Sequence, residues 1–261
     1  MIKFFRKIRQ QLLSENRFAK YLLYAVGEIV LVVIGILIAV SINTWNKQQT
    51  IKANNKIYCS ELLEELKLNI TRLQFLAFTG DNENNIPSWE EVVENSDSLL
   101  NLVTRGLQEE DLDFLLNNKI WAGGSQLNLH DATYEELLGT GKLYSLGSDS
   151  LILGLKQYYK RYEREIEYNT RWTNHALEGM YQIEHSRGKM IIDFNRNSEH
   201  FDLQDYPWFF DSKSKEYIDL QLGVRKLYGG QAHHFRKCKE LIEETELLIE
   251  LIEREIQKQN H

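Results

Sequence analysis

Residues Tyr21 to Ile42, YLLYAVGEIVLVVIGILIAVSI, form an unbroken apolar run of 22 residues carrying one charge, Glu28. At 1.5 Å of rise per residue this helix is about 33 Å long, enough to cross a hydrocarbon core of about 30 Å. No later segment has such a run, so the pattern predicts a single crossing. Beyond it Ile51, Tyr58, Leu62, Leu66, Ile70 and Leu73 recur at helical spacing, with neither Gly nor Pro between Ile36 and Thr79. The spanning helix is therefore expected to continue outward as a stalk and to stop at GDNENNIP, residues 80–87.

The same periodicity marks the rest of the chain. Ser88 with Glu91 reads as a capping box opening a helix striped by Trp89, Val92, Val93, Leu99, Leu100 and Val103 and stopped by Gly106. A shorter helix is predicted over 109–117, then a loop at Trp121-Ala-Gly-Gly-Ser. Thr133 with Glu136 reads as a second capping box, and Ser148 as the cap of a long helix lined by Leu151, Leu155, Tyr158, Tyr162, Ile166, Trp172, Ala176 and Met180. Over 189–210 the period is lost, leaving a small hairpin or an irregular loop as the alternatives. The last helix is predicted from Ser214 to about Lys258, with Leu227, Cys238, Leu241, Ile242, Leu248, Ile249, Ile252 and Ile256 inward. Gly229-Gly230 predicts a kink or a close backbone contact within it.

With two prolines and no repeat or low-complexity tract, the fold class read from this pattern is all-α. One N-terminal transmembrane helix continues into an antiparallel bundle of three or four long helices, the first and last being neighbours. The domains are a basic tail over 1–20, a transmembrane signal anchor over 21–45 and a helical domain over 46–261. Within the tail, Ile2, Phe5, Ile8 and Leu12 fall near one face, as in an amphipathic helix lying on a membrane surface, although a basic tail without fixed structure fits equally.

Charge adds an orientation. Of the 31 basic and 38 acidic residues, six and one lie in 1–20, while 25 and 36 lie beyond residue 46, the remaining acid being Glu28. Basic residues flanking a span stay cytoplasmic, which puts the N-terminus inside and the acidic domain outside. Membrane lipid is thus the first expected partner, and an acidic outer domain argues against nucleic acid. The competing reading, a cleaved signal peptide, needs a shorter apolar region and a small-x-small cleavage site; the uncleaved anchor fits better. Tyr21, Tyr24 and Trp45 supply interfacial aromatic residues at the two ends of the run.

Candidate chemistry is sparse. A carboxyl at a helix centre in hydrocarbon costs about 2.5–3.5 kcal/mol on insertion scales, so Glu28 points either to the headgroup region or to a helix-association face with the small residues Gly27, Gly35 and Ala39, and hence to a homo-oligomer. Cys59 and Cys238 would both face the outer compartment, where either a bridge clasping the first helix to the last or two free thiols is compatible with the spacing. Seven histidines are present, but no His-Glu-x-x-His or paired Glu-x-x-His motif, so no metal and no cofactor is predicted. Tyr158, Tyr159, Tyr162, Tyr168 and Trp172 form an aromatic row at core spacing that would otherwise line a ligand groove. No nucleophile elbow or phosphate loop occurs, and an enzyme is not the expected class.

The opening FFRKIRQQLLSENRFAKYLLYAVGEIVLVVIGILIAVSINTWN, residues 4–46, resembles that of a family of uncharacterised single-pass membrane proteins of Bacteroidota, catalogued as a domain of unknown function. Thr133-Tyr-Glu-Glu-Leu-Leu-Gly-Thr-Gly-Lys-Leu143 and the acidic final helix are similar to it as well. The resemblance implies a Gram-negative inner membrane and a helical periplasmic part, and brings no activity or catalytic residue. The sequence thus points to an anchored periplasmic interaction or scaffold module with an unknown protein partner. The rival is a ligand-sensing subunit, which with so short an inner segment would signal through a partner membrane protein.

Overall fold

The computed structural model describes residues 18–122 and 126–259; the expected surface helix over 2–12 and the glycines of the Trp121-Ala-Gly-Gly-Ser loop lie outside them. The described residues hold six α-helices and no strand. These are α1 (Phe18–Gln74), α2 (Trp89–Arg105), α3 (Leu112–Asn117), α4 (Ala132–Gly139), α5 (Asp149–Arg196) and α6 (Lys215–Gln259). The all-α class and the long apolar N-terminal helix followed by a bundle are as the pattern predicts.

The chain divides into two compact units, Met1–Ile57 and Tyr58–His261. In the first unit, every side chain over 29–54 is exposed, the leucines, isoleucines and valines included. The apolar part of this surface, which runs to Ile42, is suited to lipid rather than water.

In the second unit two apolar cores lie along one pair of long helices. The first core gathers Cys59, Leu62, Leu66 and Leu73 of α1 with Leu151, Leu155 and Tyr158 of α5 and Leu241, Leu248 and Ile252 of α6. The second gathers Leu99 and Val103 of α2 with Ala176, Ile183 and Met190 of α5 and Leu220, Val224 and Leu227 of α6. At 48 and 45 residues, α5 and α6 are roughly 70 Å long, and they run antiparallel. Thr245 Oγ1 donates to Tyr158 Oη at 2.9 Å, whereas toward the other end Gln182 meets Asp219.

Glycine sets the closest approach of this pair. A Cβ on Gly179 would lie 2.5 Å from the Gly223 carbonyl oxygen and 2.6 Å from the Leu227 nitrogen, and one on Gly230 would lie 2.8 Å from Ala176 Cβ. The backbones touch where side chains are missing, so the interior glycines are compensated by contact. Of the two expectations for Gly229-Gly230, the close contact holds and belongs to Gly230; α6 runs through both without a break in helix, and Gly229 faces open space.

Ser88 and Glu91 form the predicted capping box, Glu91 N donating to Ser88 Oγ at 3.2 Å and Ser88 N to Glu91 Oε2 at 2.9 Å. The stop at 80–87 is a tight loop in which Asp81 and Ile86 exchange backbone hydrogen bonds of 2.7 and 2.9 Å. Gly80 is required there: its φ is +66°, and a Cβ would strike the Ile86 carbonyl oxygen at 2.6 Å.

Several expectations are corrected. Residues 189–196 are helical, and 197–210 form three short 3-10 turns, so the irregular alternative stands and there is no hairpin. The period is lost there because Ser186 and Arg187 occupy inward positions between the buried Ile183 and Met190. Ile166, expected inward, is exposed, and Glu165 is buried beside Arg161 instead. Thr133 and Glu136 do not form a capping box: Glu136 accepts from Tyr58 Oη at 2.7 Å, and the Thr133 amide donates to Glu65 of α1. Ser148 precedes α5 without capping a backbone amide of its first turn; its hydroxyl meets Ser150 Oγ at 3.1 Å instead.

The glycine contact makes a contrast testable within one helix. Gly179→Ala is expected to destabilise by about 1–3 kcal/mol, because the added methyl must force the backbones apart. Gly188→Ala, whose Cβ would meet nothing within 4 Å, is expected to be neutral or to stabilise by up to about 1 kcal/mol. Thermal denaturation of both variants checks this, and equal effects would contradict it.

Candidate functional site

The residues predicted on the anchor lie where expected along α1 but do not share one stripe. At 100° per residue, Glu28, Gly35 and Ala39 fall within about 40° of arc and Gly27 lies roughly 80–120° away from them. A Cβ on Gly27 or Gly35 would meet nothing within 4 Å, and Ala39 is exposed. A close-approach surface on this helix would therefore be built from Glu28, Gly35 and Ala39, with Gly27 at its margin.

Cys59 and Cys238 are free and buried. Cys238 Sγ donates to the Leu73 carbonyl at 3.2 Å, and Leu73 is 14 residues, or about 21 Å of helix, beyond Cys59. A disulfide requires Cα atoms within about 7 Å, so the bridge is ruled out by the register of α1 against α6. Burial raises both thiols, Cys59 to about 11 and Cys238 to about 12, which keeps them protonated and unreactive.

The polar groups of the core meet backbone. Glu65, Asn69 and Arg72 line one side of α1 and grip the segment 126–133. Arg72 donates to the carbonyls of Gln126 and Leu127, Asn69 both donates to and accepts from the backbone of His130, and Glu65 accepts from the Thr133 amide at 2.9 Å. From α5, Tyr159 Oη donates to Glu65 at 2.7 Å and Tyr162 Oη accepts from Leu129 N at 2.9 Å. Burial and then the Glu65 carboxylate push the Tyr159 phenol far up, so it remains a donor. In the second core, Arg187 is buried and donates to the carbonyls of Leu115 and Asn118 at the end of α3, while Tyr217 Oη joins the Val103 carbonyl to the Leu107 amide at the end of α2. Each of these groups is committed to holding a chain segment, which leaves none poised as an acid, base or nucleophile.

The aromatic row divides likewise: Tyr158, Tyr159 and Tyr162 are core, Tyr168 is exposed, and Trp172 stacks on His233 at 4.5 Å. Among the described residues no three His, Cys, Asp or Glu side chains come together as a metal site. Two open clefts lie on the surface of the described residues. One, of about 450 Å³, is bordered by Asn82, Asn85, Asn95, Lys119 and Trp121; Asn95 and Asn118 are bonded to each other at 2.7 and 2.9 Å. The other, of about 480 Å³, is a groove along α5 and α6 with Gly154 and Leu248 in its floor and Leu247 and Leu251 on its wall. The groove is not evident from the apolar pattern, because Leu247 and Leu251 sit outside the inward stripe that contains Leu248; the signal is Gly154, a glycine inside a strongly periodic helix.

His233 and His234 are an adjacent pair of imidazoles whose pKa values are both strongly lowered. His234 is buried, stacks on Trp89 at 5.5 Å and has Nε2 3.3 Å from Thr173 Oγ1. Burial holds both imidazoles down to about 4, with Arg236 and Lys237 adding to this at His233, and His233 at His234. An unfolded chain binds these protons near pH 6.5, so the neutral rings contribute their full stability above that pH and lose it as pH falls towards 4. Urea denaturation from pH 7 to 4.5 is expected to show a decline that His234→Gln reduces; a wild-type slope unchanged by the substitution would contradict this.

A family model described as a family of unknown function (DUF6090) matches residues 28–205, which take in most of the apolar run, α2 to α4 and all of α5. No curated protein and no solved structure matches the chain. The match spans well over half of the sequence, and the chain therefore belongs to the DUF6090 family, whose function is unknown.

Proposed function

We propose that the protein is a membrane-anchored helical interaction module, held in the inner membrane of a Gram-negative cell with its N-terminus in the cytoplasm and its helical domain in the periplasm. The observation that carries this reading is the stretch of α1 from Ala25 onward, which is long and apolar enough to cross a membrane and has an 18-residue apolar window in which no residue is buried. Apolar surface of that extent is favourable only in lipid or against another helix. The basic flank supplies the orientation and the acidic domain the preference for the outer side.

The module's business is with proteins rather than small molecules. Both large clefts are open to the surface, whereas small-molecule sites enclose most of their ligand. Glu28, Gly35 and Ala39 provide a surface on which a second span could pack, and the exposed leucines of the groove provide another on the domain. Neither needs a catalytic group.

Spheroplasts of cells expressing the full chain with a C-terminal tag test the topology. Protease added after opening the outer membrane is expected to remove the tag while an N-terminal fragment stays in the carbonate-washed membrane pellet. A carbonate-soluble chain, or a tag protected until the inner membrane is lysed, would overturn the reading.

A further inference from the structure

The groove along α5 and α6 is bordered by charges of opposite sign on its two helices. On α5, Lys160 and Arg164 border it. On α6, Leu247 is 60% exposed on the groove wall, and Glu243 stands exposed one turn before it. Leu153, beside the floor glycine Gly154, is 55% exposed. Around Gly154 the floor is apolar, and a Cβ on Gly154 would already touch Leu248 and Leu251 at 3.4 Å. No lining residue comes from α1, α2, α3 or α4, so this is a face of the helix pair left uncovered by the domain's own elements.

We propose that this groove is the interface between two copies of the chain, joined by a two-fold axis running along α5 and α6. The inference rests on the reading of the protein as an interaction module and names its partner as itself. Charge complementarity and register carry it. The contacts within one copy, Arg161 with Glu244, Tyr158 with Thr245 and Gly154 with Leu248, show which residues of α5 and α6 lie at the same height. A two-fold axis parallel to the helices preserves those heights while setting α5 of one copy beside α6 of the other, antiparallel to it. Lys160 is then level with the second copy's Glu243, and Arg164 with its Glu240. At the next turns the second copy's Leu247 and Leu251 come level with Gln157 and Gly154, over the apolar floor.

The Lys160–Glu243 pair that would meet is available, whereas Arg164 lies 3.9 Å from Glu165 and Glu240 is already bonded to Arg161 and Lys237 within the chain. Neither Lys160 nor Glu243 forms an ion pair within the chain among the described residues, whereas Arg161, deeper in the groove, is held by Glu240, Glu244 and Glu165. The isologous arrangement uses each pair twice, so two Lys160–Glu243 pairs flank a leucine-lined seam, forming a four-helix bundle from two hairpins. The seam supplies the favourable area and the ion pairs set register and partner.

The test uses the full chain in detergent micelles, its association followed by analytical ultracentrifugation across a concentration series. The wild type is expected to dimerise. Leu247→Glu and Glu243→Lys, both at exposed positions, are each expected to weaken the dimer at least tenfold with the melting temperature unchanged. Combining Glu243→Lys with Lys160→Glu restores both reversed pairs and is expected to recover most of the loss. A wild type that stays monomeric at all concentrations, a dimer indifferent to Leu247→Glu, or a double variant no tighter than Glu243→Lys alone would each overturn the proposal. Whether the chain partitions into membrane is read separately, so loss of the anchored reading is distinguishable from loss of this interface.

Discussion

A short helix buried at its ends must find partners for the backbone groups it cannot bond itself, and this constraint organises the domain. The long helices α1, α5 and α6 supply those partners from a distance in sequence. Glu65 of α1 places a carboxylate at the first turn of α4, Arg187 of α5 places a guanidinium against the last carbonyls of α3, and Tyr217 of α6 closes the end of α2. The signs agree with the helix dipole: the anion sits at an N-terminus, the cation at a C-terminus. Each unmade bond of this kind would cost about 1–3 kcal/mol. The burial of Glu65, Asn69, Arg187 and Tyr159 is thereby explained: each fastens a chain segment, directly or through Glu65.

The fasteners reach out from α5 and α6, which are packed directly against each other, and from α1. The two helices touch backbone to backbone at Gly179 and Gly223, and both apolar cores are assembled along the resulting pair. One face of the pair is covered by α1 at one end and α2 at the other. The opposite face near Gly154 is not covered, and its leucines and charges form the groove. On the proposed reading, the module would act through the surface that this packing leaves over, with the apolar part of α1 as its attachment.

What could be read from sequence follows the range of the interactions. The apolar run, the α2 capping box and the inward stripe of α6 depend on residues within a few turns of one another, and all three are legible. The Thr133-x-x-Glu136 motif has the same local form but a different outcome, because Glu65, 68 positions earlier, reaches the Thr133 amide while Tyr58 and Lys142 engage Glu136. The helix over 189–196 was hidden by its own fastener, since a buried Arg187 removes the apolar residue that the period requires. Likewise the register of α1 against α6, which separates Cys59 from Cys238, is a tertiary quantity with no signature in the spacing of two cysteines. The groove was hidden for a related reason: exposed leucines on an amphipathic helix look incidental until the neighbouring helix shows what they border.

The claim that distant side chains hold the short helices is tested most directly by hydrogen exchange of the full chain with and without Arg187→Met. The account predicts that amides over 112–120 lose at least tenfold in protection while those over 132–139, held by Glu65 at the other core, keep theirs. Unchanged exchange over 112–120, or an equal loss in both segments, would contradict it.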